Sequence, residues 1–435
     1  MSIATAIQNA QQKVAAAYTA VSNKGGTLPA TQDLSNLPTA INSIQSGGTD
    51  TLPAFVSAGV STFTDNTITK IRPYAFYNDN STYSSNPLTS VSSSSVTELG
   101  QHCFYGCSSL QSASFPSLIT MGASCFYNCS SLSNFTIPNT VTTLGGSNFS
   151  NCASITSLTV PAGVTSLGNS SFSGLQNMEE FNYNATNASF ATSSNQNGVF
   201  SNLGKNKNNL VFNIGSNVES IPAYFLDSST TTSSLPNIAT LNIPANNSIE
   251  TIGQHAFYRC SGLSGSISFP NITSLSASMQ HAFYGTNITG LDLSSLVNSN
   301  GNSISYLVHG CTNLTTLDLS SFTGTSATNG LSALADGCTN LTQVNLSSLA
   351  SIAGSSALGS AFRNCTSLTS LSFPALTSTS FGSYTNQFNN MLQGVTGCTV
   401  HFPSNLQSVI GSWTDVTAGF GGTNTTVLFD LTATT

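Results

Sequence analysis

The chain has 435 residues, of which 39% are hydrophobic and only 5% charged, against roughly a quarter charged in ordinary globular domains. Its net charge of −7 and eight Lys plus Arg leave no basic patch able to neutralise phosphates or an anionic membrane surface, which excludes nucleic-acid partners. Disorder is excluded too, because it needs low hydrophobicity with high net charge. No stretch approaches the roughly 18 apolar residues needed to insert into a bilayer.

Residues 1–23 are rich in Ala and Gln and free of Pro and Gly, which predicts an α-helix. Ile3, Ile7, Ala10, Val14, Ala17 and Val21 fall at alternating spacings of 4 and 3, a heptad seam. The seam fits a homo-oligomer, or equally a helix packed on its own chain. The start, MSIATAIQNAQQK, has neither a basic leader nor a continuous apolar run, so no secretory signal is expected. The stretch from Tyr18 to Ile44 contains KGGTLP and NLPTAINSI. It resembles N-terminal segments of bacteriophage tail and appendage proteins, which implies docking to other virion proteins. The predicted organisation is an attachment segment over 1–45, a linker and N-terminal cap over 46–59, repeats over 60–403, and a C-terminal cap over 404–435.

From about residue 68 one phrase recurs, as in CFYGCSSL (Cys103 to Leu110), CFYNCSSL (Cys125 to Leu132) and AFRNCTSL (Ala361 to Leu368). Cys107, Cys129 and Cys152 stand 22 and 23 residues apart, and Cys311, Cys338 and Cys365 stand 27 apart. Such periods belong to leucine-rich repeats. Phe135 and Ile137, Leu158 and Val160, or Leu317 and Leu319 then alternate as the inward side of a short strand. A proline such as Pro116, Pro138 or Pro161 ends it. A VxxLG turn follows, as in Val96 to Gly100. Stacked units of this kind bury one continuous core. The phrase LxxFxIPxxVxxLGxxxFxxC resembles the BspA-like leucine-rich repeats. That resemblance implies a right-handed solenoid superhelix with short parallel β-strands on one face, and a family made mainly of bacterial surface adhesins. Residues 184–247 fit the period poorly and are expected to be an irregular insertion. After Ser404, Trp413, Phe420 and Val427 to Leu431 are expected to cover the last coil.

Most cysteines share one inward slot, where Leu175 also stands. Buried thiols are therefore expected there rather than metal ligands, although CFYGC alone has the spacing of half a zinc site. His102, His255 and His281 precede the repeat Phe and read as surface residues, with His255 and His281 on adjacent coils and no carboxylate in phase. The 15 acids are scattered, with only Glu179 and Glu180 adjoining, and no GxSxG elbow follows a strand, so neither enzyme activity nor a cofactor is expected.

Tyr77, Tyr105, Tyr127, Tyr258 and Tyr284 follow the buried Phe and are expected at the coil edge, either as binding anchors or packed over the neighbouring coil. The outward strand slots hold Thr136, Thr159, Asn182, Asn242, Asp292, Asp318 and Asn345. These read as a polar binding face or as solvated ladders. Together these features predict a phage tail fibre or receptor-binding protein that recognises a protein or polysaccharide on the bacterial host surface. The alternative is a BspA-type adhesin on the bacterial surface or outside the cell.

Overall fold

A computed structural model describes residues 61–78, 87–190, 198–227, 237–297, 301–325, 329–352, 354, 356–377, 380, 387–410 and 419–432. The predicted helix with its seam, the linker, and Trp413 lie outside these residues. The chain divides into two compact units, residues 1–158 with 166–177, and residues 159–165 with 178–435. Each is a parallel β-solenoid of the leucine-rich-repeat type.

In the first unit, strands Thr62–Thr64, Ser90–Ser92, Ser112–Ser114 and Asn134–Phe135 form a parallel ladder in chain order. The register aligns Phe63 with Val91, Val91 with Ala113, and Ala113 with Phe135, and all four are buried. A second ladder was not expected. Lys70–Ile71, Glu98–Leu99, Thr120–Met121, Thr143–Leu144 and Ser166–Leu167 also pair in parallel, so the VxxLG phrase is a two-residue strand rather than a simple turn. Its glycine is required by coil packing. A Cβ at Gly122 or Gly145 would lie 2.6 Å from the backbone nitrogen of Gln101 or Ala123 on the preceding coil, closer than any real Cβ contact.

The third side of each coil carries the Phe. Phe76, Phe104, Phe126, Phe149 and Phe172 form one column of near-parallel rings, with centroids 5.1, 5.3, 5.8 and 6.0 Å apart. These rings sit inside a chain of backbone bonds from coil to coil, such as Phe104 N–H to Cys125 O at 2.9 Å and Phe126 N–H to Asn148 O at 2.9 Å.

The second unit repeats this plan with longer coils. Strands Glu180–Tyr183, Leu210–Ile214 and Ile238–Asn242 pair in parallel, as do Ser264–Ser268, Asn287–Asp292, Thr316–Asp318 and Gln343–Asn345. The stretch expected as an irregular insertion therefore carries regular strands. Leu203 and Leu226 take the inward places that Cys and Phe hold elsewhere and are buried, so the cysteine-anchored phrase vanishes while the packing persists. Past residue 404, Thr426–Leu431 pairs with Thr399–Pro403 and continues the ladder, while Phe420 is buried against Phe388 at 5.4 Å. No helix among the described residues is long and apolar enough to cross a membrane.

Candidate functional site

In most coils the residue two before the inward Phe, or before the Leu or Val that replaces it, adopts a left-handed backbone, as at His102 (φ 58°), Ser124 (56°), Ser147 (58°), His255 (57°), His281 (56°) and Tyr306 (56°). This conformation costs a non-glycine residue about 1 kcal/mol. It also aims the N–H at the next coil, as from His281 to Ser305 O at 3.2 Å and from Tyr306 to Ser332 O at 3.0 Å. That residue and the one three positions on form two rows along the coil edge. Neighbouring coils stand about 4.8 Å apart, which lies within the stacking range of aromatic rings. Rings placed on successive coils therefore stack.

In the first unit Tyr74 stacks on His102 at 5.0 Å, and Tyr77, Tyr105 and Tyr127 follow at 5.0 and 4.7 Å. In the second unit one row runs Tyr224, His255, His281, Tyr306 at 5.1, 4.7 and 4.6 Å. The other runs Tyr258, Tyr284, His309 at 4.5 and 4.6 Å. All five expected tyrosines thus lie at the coil edge, half-buried, each packed on a neighbour and presenting its rim. The sequence had missed Tyr74, Tyr224, Tyr306 and His309, which fill the same two slots. Tyr74 is 51% exposed.

The histidines are not plain surface residues, and carboxylates do stand in phase with them. Asp227 and Asp336 occupy the second row, with side chains only 2% exposed. Their oxygens lie 3.7 Å from His255 Nδ1 and 3.5 Å from His309 Nδ1. Arg363 Nε donates to Asp336 at 2.9 Å. Burial pulls the His255 pKa down while Asp227 partly offsets it. His281 is pulled down to about 4, first by burial and then by His255 and His309 on either side. These imidazoles are therefore neutral at pH 7. Arg259 is left-handed (φ 55°) where other coils use Gly or Asn, and its guanidinium lies 5.4 and 5.8 Å from the Tyr258 and Tyr284 ring centres.

The strand-face candidates form a separate set, which the structure does not bring together with the tyrosines. Thr136 is exposed beside Asn134–Phe135 and lines a trough of 840 Å³. Thr159 and Asn182 are in contact at 3.5 Å. Asn213, hidden in the supposed insertion, joins Asn182 at 2.9 Å to Asn242 at 2.8 Å. Asp292, Asp318 and Asn345 are register partners, as expected. Each, however, accepts the N–H two residues on, from Ser294, Ser320 and Ser347 at 2.9, 2.9 and 3.2 Å. Asp292 also accepts the Ser268 hydroxyl at 2.8 Å. They fix the turns that end their strands, a local role that Asp and Asn commonly play.

All ten cysteines are free and buried. Six of the seven thiols in the repeated slot donate to a carbonyl one coil back, as Cys129 to Phe104 O at 3.1 Å, Cys152 to Phe126 O at 3.0 Å and Cys338 to Val308 O at 3.0 Å. Burial pushes Cys260 and Cys365 up to about 12 and Cys398 to about 11. Among the described residues no group of three His, Cys, Asp or Glu is placed to hold a metal ion.

The family model for the BspA type leucine rich repeat region matches in six copies, over residues 69–203, 228–358 and 332–412. The chain belongs to this family. Among solved structures it is similar to a leucine-rich repeat protein from Bacteroides ovatus, with 20% identity over 84% of this chain and 92% of that one and a TM-score of 0.45. It is also similar to a leucine-rich repeat protein from Eubacterium ventriosum, at 21% identity over 75% and 83% with a TM-score of 0.34. A leucine rich cell surface protein from Faecalibacterium prausnitzii matches at 16% identity over 85% and 88%, with a TM-score of 0.31. A comparison with curated proteins found no match. None of these findings supports the phage-tail resemblance of Tyr18 to Ile44. They likewise give no support to the expected tail-fibre role, virion location or docking to virion proteins.

Proposed function

We propose that the chain is a non-enzymatic binding protein of the adhesin type, displayed on a bacterial surface or released outside the cell. It attaches through its Tyr and His edge to a cell-surface protein or polysaccharide. One observation carries this reading: the scaffold does not need the rings. In the first row Ser124, Ser147 and Ser170 keep the left-handed backbone (φ 56°, 58° and 55°), and in the second row Ser150 and Ser173 keep the bond that Tyr105 and Tyr258 make, Ser150 N–H to Ser147 O at 3.3 Å and Ser173 N–H to Ser170 O at 3.1 Å. Ser124 and Ser147 also keep the coil-to-coil bonds of the first row, to Gly146 O and Asn169 O at 2.8 Å each. Replacing those serines by rings adds rigid, amphipathic contact area, the material of binding hot spots. Membership of a family made mainly of surface adhesins points the same way.

The test is adsorption of the full chain to bacterial cells, for the parent and for the combined variant Tyr105→Ser, Tyr127→Ser, Tyr258→Ser and Tyr284→Ser. The expected result is at least a ~10-fold weaker adsorption, about 1.4 kcal/mol, with the melting temperature nearly unchanged. Adsorption should survive moderate salt, since charge contributes little. An unfolded variant would make the tyrosines packing residues. Unchanged adsorption by a folded variant would move the binding surface elsewhere.

A further inference from the structure

In the second unit, the first aromatic row stops abruptly. Tyr224, His255, His281 and Tyr306 follow one another, and the next coil places Ala333 in the same left-handed slot (φ 50°), with its N–H bonded to Gly359 O at 2.9 Å. One face of the Tyr306 ring is covered by His281 at 4.6 Å and an interplanar angle of 10°. Beyond the other face the row offers only a methyl group and then Ser360. Here a trough of 420 Å³ opens, bordered by Tyr306 and His281 at one end and by Ser360 and Asn389 at the other. That volume falls within the range of about 300–1,000 Å³ typical of ligand sites.

The lining has a distinct chemistry. No Asp, Glu, Lys or Arg contributes to it, and His281 is held neutral by its surroundings. Gln280, Asn329 and Asn389 bring carboxamides to its rim, and none of the three makes a side-chain hydrogen bond to protein among the described residues. A carboxamide offers a donor pair and an acceptor side by side, which matches a pair of neighbouring hydroxyls, each both donor and acceptor. The far wall is serine, glycine and asparagine, so a ligand apolar on both faces would be covered on only one. A ligand with one C–H face and a rim of hydroxyls fits the trough on every side.

We propose that this trough is a binding site for a neutral pyranose unit of a polysaccharide, its C–H face stacked on Tyr306 and its hydroxyls held by Gln280, Asn329 and Asn389. The proposal rests on the polysaccharide arm of the binding function above and names its ligand class. Tyr306 lies outside the set of tyrosines altered in the adsorption test, so the two can fail separately.

The experiment probes the full chain on an array of neutral hexose and N-acetylhexosamine oligosaccharides, with polygalacturonate as the charged control. Titration calorimetry then follows with whichever oligosaccharide binds. Binding to at least one neutral oligosaccharide is expected. Tyr306→Ser, which installs the serine found in the equivalent slot of other coils, should weaken it at least ~10-fold. Tyr306→Phe should keep it within about threefold, because the ring face remains, and Asn389→Ala at an exposed amide should weaken it with no loss of stability. Binding to polygalacturonate alone, to no oligosaccharide at all, or equally by parent and a folded Tyr306→Ser variant overturns the site. Cell adsorption with no neutral glycan bound removes this site and leaves the wider function standing. Glycan binding lost with Tyr306→Ser, in a chain that adsorbs to no cells, does the reverse.

Discussion

Replacing Phe126 by alanine would break the ring column of the first unit at its middle. The side chain is fully buried, with Phe104, Phe135 and Phe149 centroids at 5.3, 4.9 and 5.8 Å. A buried Phe removes about 150–250 Å² from water, worth roughly 4–6 kcal/mol at about 25 cal/mol per Å² as an upper bound. Alanine keeps only the Cβ, and the rings above and below cannot close the gap while their backbones are held by coil-to-coil bonds. A loss of about 3–5 kcal/mol follows. Phe126→Leu should cost only about 1–1.5 kcal/mol, because Leu226 and Val308 fill the equivalent slot in the second unit and are buried there. Repeat stability is a sum of nearest-neighbour terms, so the damage should stay local. Urea unfolding followed by amide exchange would show it, with protection falling first at Phe104 and Phe126 N–H and their neighbours. A cost below about 1 kcal/mol for the alanine variant, or equal costs for alanine and leucine, would refute the column as a main source of cohesion.

Three further outcomes follow from the same geometry. The native thiols should react with an aromatic disulfide reagent no faster than the protein unfolds, since burial both hides them and raises their pKa; rapid labelling of most of them would contradict the buried ladder. The folded chain holds His281 neutral down to about 4, whereas an unfolded His protonates near 6.5. The unfolded state therefore binds more protons in between, and stability should fall as pH drops from about 6.5 towards 4. His281→Tyr, which copies Tyr306, should flatten that part of the melting-temperature profile, and an unchanged slope would assign it to other groups. Asp292→Ala should cost about 1–2 kcal/mol through the lost bonds from Ser294 and Ser268, without altering the response of the melting temperature to calcium. A calcium-dependent melting temperature that the variant abolishes would restore a cation site on the strand face.

Inward positions were the legible part of this molecule. Cys107, Cys129 and Cys152 share one inward slot that recurs once per coil, where each thiol reaches a carbonyl one coil back; Leu175 keeps the same spacing without a thiol, so the coil length sets it. The second strand ladder was hidden because strands such as Glu98–Leu99 are two residues long, too short for alternation to register. The coils of 184–247 were hidden because Leu203 and Leu226 perform the packing without the phrase. At the edge, the tyrosines were found by their place after the Phe, but Asp227, His309 and Asp336 stand in that same slot and escaped notice. Assigning every coil to two edge slots, whatever residue fills them, would have paired Asp227 with His255 from the sequence alone. The strand-face aspartates were misleading for a different reason. Their outward position suggested a ligand, whereas their carboxylates are turned back on their own backbone.

Hydroxyl-radical footprinting of the full chain bound to bacterial cells tests the binding edge most directly. Side chains exposed elsewhere, Ile119 and Val297 at 45% and 44%, serve as internal references. If the edge is the contact surface, oxidation at Tyr105, Tyr127, Tyr258 and Tyr284 falls on binding while Ile119 and Val297 are labelled as in the free chain. Protection of Ile119 and Val297 with all four tyrosines unchanged would contradict it.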